Sequence, residues 1–186
     1  MVPELRSSSD LCDEALAMLH RRDYAAVAGM LERKAAAAFF AKEYGGKIVS
    51  QMYNTMRADG QLFDHGHQLS GDQLKILAYA RKHGAPVGEE DITVHFDYVA
   101  RIERAGGECG EYAVEFPDLT SLLIFASGYP ALKQAKEEAK SCLAFYLRHN
   151  MSIGKTIPKP KYHGRKTARV RPFKVQLTLN DLIFED

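Results

Sequence analysis

Residues 92–119 read ITVHFDYVARIERAGGECGEYAVEFPDL. Residues 92–105 alternate β-branched and aromatic side chains with polar ones, Gly106, Gly107 and Gly110 supply a turn, and EYAVEFPDL (111–119) alternates back, so a β-hairpin is expected. The second strand stops at a Phe-Pro-Asp corner. Pro117 removes a ladder donor, and Asp118 can bond nearby backbone amides in the turn. Downstream, SLLIFAS (121–127) predicts a third strand. PALKQAKEEAKSCLAFYLRHN (130–150) predicts an amphipathic helix with Pro130 in its first turn and Leu132, Ala135, Ala139, Cys142, Leu143, Tyr146 and Leu147 on one apolar face. RVRPFKVQLTL (169–179) predicts a last strand. The order βββαβ is that of a small α+β domain in which one helix covers one face of an antiparallel-rich sheet.

Upstream the period is helical. Residues 10–34 place Leu11, Ala15, Met18, Leu19, Tyr24, Val27, Met30 and Leu31 at helical spacing, with Asp10 and Asp23 as N-cap candidates, which predicts two short helices. The stretch KAAAAFFAKEYGGKIVSQMYNTMRADGQLF (34–63) predicts a helix pair broken at Gly45-Gly46 and stopped at Gly60. LSGDQLKILAYARKHG (69–84) predicts a further helix capped by Ser70 and ended by Gly84. The period changes at APVGEED (85–91), whose Pro, Gly and acidic residues mark a domain boundary. Residues 1–88 therefore read as a helical N-terminal region without strands, and residues 89–186 as an α+β domain.

Composition sets the class. With 186 residues, 46% hydrophobic and 26% charged, the chain can bury the core of one medium domain or two small ones. No apolar run is long enough to span a bilayer, and MVPELRSSSD is too polar for a signal peptide, so no membrane association and a cytoplasmic location are expected. Cys12, Cys109 and Cys142 are odd in number and far apart, without ligand spacing, so neither a disulfide framework nor a zinc site is expected. No cofactor is implied.

The net charge of +1 hides an asymmetry: residues 155–174 hold eight Lys or Arg and no acid, leaving about −7 on the rest of the chain. One reading is a solvated linker held open by Pro158, Pro160 and Gly164. The other is a contact for nucleic-acid phosphates or an acidic protein face, with Arg165, Lys166, Arg169 and Arg171 close enough to form one positive patch.

Glu115-Phe116-Pro117-Asp118-Leu119, then Gly128, then a helix with Ala135, Ala139, Leu143, Tyr146 and Leu147, then Ile157-Pro158-Lys159-Pro160 together resemble the HicB antitoxin family over about residues 92–180. The resemblance implies a partial ribonuclease H-like fold without nuclease activity. It also implies a type II antitoxin that binds and blocks a HicA-type messenger-RNA ribonuclease, a toxin contact around Glu115, Phe116, Pro117 and Asp118, operator DNA as a second partner, and a homodimer or higher oligomer. The sequence departs from the family at Thr120-Ser121-Leu122 and at Tyr129-Pro130. No DNA-binding element is expected after the last strand, and the helical region stands at the other end.

Ribonuclease H chemistry needs several carboxylates converging on metal ions. Asp97, Glu103, Glu115 and Asp118 are the only strand or corner acids, and Asp97 and Glu103 are expected on opposite faces, so no catalytic residues are assigned. Asp64-His65-Gly66-His67 has ligand residue types but lacks a further ligand, and is read as a polar loop with no metal. In KIVSQMYNTMRADGQLF (47–63) a helix runs into a Gly turn, as the second helix of a helix-turn-helix does, with Lys47, Ser50, Gln51, Asn54 and Arg57 on its exposed face. A solvated face of a helical bundle explains the same pattern. Two functions stay open: the antitoxin, and a DNA-binding transcriptional regulator of prophage or mobile-element type that uses the HicB-like domain to oligomerise.

Overall fold

The computed structural model describes residues 7–33, 36–85, 93–104, 112–119, 123–124, 132–167 and 170–183. Helix α1 (Ser8–His20) starts at Ser7 rather than at Asp10: the Ser7 hydroxyl accepts the Asp10 amide, and the Asp10 carboxylate accepts the Ser7 amide. Both orphan donors are thereby satisfied reciprocally. Asp23 caps α2 (Tyr24–Glu32) as expected, and Ser70 with Gln73 forms a second capping box on α4 (Gly71–Lys82). Past the end of α4, Gly84 takes φ +69°, the left-handed region that glycine enters without penalty. Among the described residues of 7–85 there is no strand.

The expected break at Gly45-Gly46 is absent. Helix α3 is continuous from Ala36 to Ala58, and Gly45 has a packing role: a Cβ there would stand 2.8 Å from the Ala85 Cβ and 3.3 Å from the Ala80 Cβ. The glycine lets α3 and the end of α4 approach, without ending the helix. Gly29, in α2, faces open space. Gly29→Ala should therefore stabilise the protein by about 0.8–1 kcal/mol through helix propensity alone. At Gly45 the same gain is outweighed by overpacking of about 1–3 kcal/mol, so Gly45→Ala should destabilise. Denaturant midpoints of the two variants moving in the same direction would refute this account.

The second part is a four-stranded sheet in the order β3-β2-β1-β4, from β1 (His95–Arg104), β2 (Tyr112–Glu115), β3 (Leu123–Ile124) and β4 (Val170–Thr178), antiparallel at every pairing. Phe96, Tyr98, Ala100 and Ile102 are buried while their odd-numbered neighbours are half-buried or exposed. This alternation gives the sheet a core face and an open face. Helix α5 (Leu132–Ser152) covers the core face through Ala135, Ala139, Leu143 and Leu147, and the Lys136 ammonium sits 4.6 Å from the centroid of the Phe173 ring. Pro172 is tolerated because β4 is an edge strand.

The fold is thus mixed α+β, with five α-helices and a small antiparallel sheet among the described residues. Buried residues from both parts form one hydrophobic cluster. They meet where α4 packs on α5, and where the 3₁₀ turn Gly66–Gln68 packs on β1. Most of the 85–91 punctuation lies outside the described residues. Among the described residues, no helix is long and apolar enough to cross a membrane.

Candidate nucleic-acid interface

Between α5 and β4 the chain runs without regular structure from residue 153 to 167, yet it is fixed at several points. Gly154 ends α5 at φ +69°, with its amide on the Met151 carbonyl. Ile157 is 1% exposed. The Tyr98 hydroxyl donates to the Pro158 carbonyl, and burial raises the Tyr98 pKa well above the ordinary phenol range, assisted by Tyr146 and the Asp118 charge. Both Asp118 carboxylate oxygens accept the Tyr162 amide, at 3.1 and 3.0 Å. At Gly164, with φ +85°, the chain crosses the open face so closely that a Cβ would lie 2.5 Å from Pro172 and 3.3 Å from Val99. It then turns through Thr167 into β4.

None of these anchors is an ion pair, so none of them uses a charge of the strap. Lys155, Lys159, Lys161, Arg165 and Lys166 are all exposed, and none makes an ion pair among the described residues. Arg171 is also exposed, but it pairs with Ile102 across β1 and β4 and so lies on the α5 side of the sheet, away from Gly164. Lys174 is engaged with Asp97 at 3.4 Å. Arg169 lies outside the described residues. The expected patch is thus displaced toward the strap, with Lys155, Lys159 and Lys161 joining Arg165 and Lys166. Lys47 and Arg57 are exposed on α3, which packs on α1, α2 and α4.

The corner residues have structural duties. Phe116 and Leu119 are each 1% exposed and fill the core, and the Leu119 amide closes the turn on the Phe116 carbonyl at 2.9 Å. Asp118 bonds an amide 44 positions away rather than one in its own turn. Glu115 is exposed and Pro117 half-buried.

Asp97 and Glu103 share the open face, contrary to expectation: six positions along a strand is an even number, so the side chains point the same way. Each acid there lies beside a cation. Arg101 lies between Glu103 at 3.8 Å and Glu115 at 3.9 Å, and Lys174 is beside Asp97. Among the described residues no three His, Cys, Asp or Glu are grouped to hold a metal ion. The His65 and His67 rings lie 5.4 Å apart. Burial, together with His65 and Lys159, holds His67 below the ordinary imidazole range against the pull of Asp97. Cys12 and Cys142 are free thiols, and Cys109 lies outside the described residues.

No family model matches the chain, and no curated protein or solved structure shows significant similarity to it.

Proposed function

We propose that this chain is a non-catalytic binding protein whose working surface is the cationic strap, and that its ligand is the phosphate backbone of a nucleic acid. The supporting observation is the combination of five exposed cations, unpaired among the described residues, with a backbone already fixed by hydrogen bonds and close packing. Charge that is ordered but uncompensated releases counterions when it meets phosphates, and little ordering entropy opposes the contact. The carboxylates of the open face are matched to Arg101 and Lys174, an arrangement suited to a binding surface rather than to metal-assisted hydrolysis.

The antitoxin is the second reading. It is favoured by the Asp118 to Tyr162 hydrogen bond, which joins the Phe-Pro-Asp-Leu corner to the chain just past the Ile-Pro-Lys-Pro exit, the two motifs that carry the HicB resemblance. Under that reading the strap serves operator DNA and another surface serves the HicA-type ribonuclease. Co-expression with a small basic protein encoded next to this gene should then give a stoichiometric complex without ribonuclease activity.

The strap is tested by changing Lys159, Lys161, Arg165 and Lys166 together to Glu. Melting temperature would check the fold, and anisotropy across a salt series would read binding to the gene's own upstream sequence, as duplex and as separated strands. Wild-type affinity should fall with salt at a log-log slope of about 0.7–0.9 per phosphate contact, and the variant should lose about 30-fold or more in affinity along with most of that slope. Arg171→Glu should change much less. Unchanged affinity on every form would rule the strap out and move attention to α3 around Lys47 and Arg57.

A further inference from the structure

We infer that the strap takes a single-stranded nucleic-acid backbone in extended form rather than a duplex, an inference that rests on the nucleic-acid reading just proposed. Exposure along the strap alternates residue by residue: Lys159, Lys161, His163 and Arg165 are exposed, while Pro160, Tyr162 and Gly164 between them are half-buried. The half-buried set is held down, Tyr162 through its amide on Asp118 and Gly164 against Val99 and Pro172.

An extended chain advances about 3.3–3.6 Å per residue, so outward groups two residues apart recur roughly every 7 Å. That step is comparable with the phosphate repeat of an extended single strand, so Lys159 and Lys161 would meet successive phosphates, with His163 at the next outward position. At Gly164 the positive φ turns the strap over the open face, where Arg165 and Lys166 continue the positive track. The Arg165 amide donates to the Tyr162 hydroxyl at 3.1 Å, which fixes the far side of that turn.

A duplex would be served differently. Its major groove admits an α-helix or a two-stranded ribbon that reaches base edges, whereas the strap is a single segment of chain that passes from the Tyr98 side of β1 to the Val99 side, able to touch only what lies along it. Single strands also offer unstacked bases, and His163, exposed between Lys161 and Arg165, is an imidazole on which a base can stack.

The test uses the full chain with three fluorescent probes of about 15 nucleotides: oligo(U), oligo(dT) and a mixed-sequence duplex. Both single strands should bind about 10-fold or more tightly than the duplex, with a salt slope near 0.7 per contact. Lys161→Glu with Arg165→Glu should remove about 1.4 of that slope, and His163→Ala should weaken single-strand binding by about 5-fold or more without changing it. A preference for oligo(U) or oligo(dT) would identify RNA or DNA as the source and leave the inference standing. A duplex bound as tightly as the single strands, with the slope still lost on charge reversal, would overturn the single-strand inference alone. Absence of binding to all three probes would overturn the nucleic-acid reading as well.

Discussion

Gly66→Ala should destabilise the protein by about 3 kcal/mol. A Cβ at residue 66 would lie 2.2 Å from Cε1 of Phe96 and 2.5 Å from two further ring atoms. Neither side can yield cheaply. Phe96 has no exposed surface and stands opposite Leu177, itself fully buried. The segment carrying Gly66 is tied to β1 by the His95 amide on the Asp64 carbonyl at 2.8 Å, and by the isolated bridge between His65 and His95. Overpacking a closed core costs about 1–3 kcal/mol and sometimes more, and this site belongs at the upper end because ring and backbone are both pinned. For a chain of this size the melting temperature should fall by roughly 6–12 °C. Shortening the ring should relieve the clash, so Gly66→Ala combined with Phe96→Leu should be less damaging than the sum of the two, by about 1–3 kcal/mol. Strict additivity, or a melting temperature for Gly66→Ala within about 2 °C of wild type, would show that the contact is not rigid.

The same residue shows where reading the sequence ends. Asp64-His65-Gly66-His67 invites a metal-site reading because its side chains have ligand types, while the packing role belongs to the one residue without a side chain. Gly45 teaches the same lesson inside α3: a glycine that ends a helix and one that admits a neighbouring helix are identical in sequence, and only the partner, here Ala80 and Ala85, separates them. Periodic signals were legible because they are local. The even-numbered stripe Phe96, Tyr98, Ala100 and Ile102 and the Ala135, Ala139, Leu143 and Leu147 face of α5 follow directly from periods of 2 and 3.6 residues. For the strap, its basic composition was visible, and the outward alternation of Lys159, Lys161, His163 and Arg165 was not. Nor was its anchoring, because its anchors on Tyr98 and Asp118 lie 60 and 44 positions away in sequence.

Those two anchors give the second large effect. Removing both, with Tyr98→Phe and Asp118→Ala, should release the strap while leaving its charges intact. The carboxylate is a charged acceptor, worth about 1.5–3 kcal/mol, and loss of the Tyr98 hydroxyl leaves the Pro158 carbonyl without that donor, at a further cost of about 1–3 kcal/mol. Because both bonds hold one segment, the loss should appear first as local opening. Amide exchange at Tyr162 should speed up by about 10-fold to 100-fold in Asp118→Ala alone, and by less in Asp118→Asn, which keeps a neutral acceptor. The binding consequence separates a preformed surface from a flexible basic linker. If order matters, the double variant should bind nucleic acid more weakly at every salt concentration while its log-log slope stays that of wild type, since the number of cations is unchanged and only the entropy of arranging them has been added to the cost. Charge reversal of Lys159, Lys161, Arg165 and Lys166 should do the reverse, lowering the slope with Tyr162 still protected. Wild-type affinity in the released variant would mean that the strap needs its charges and not its shape, and the match between its alternating cations and an extended strand would then carry no energetic weight.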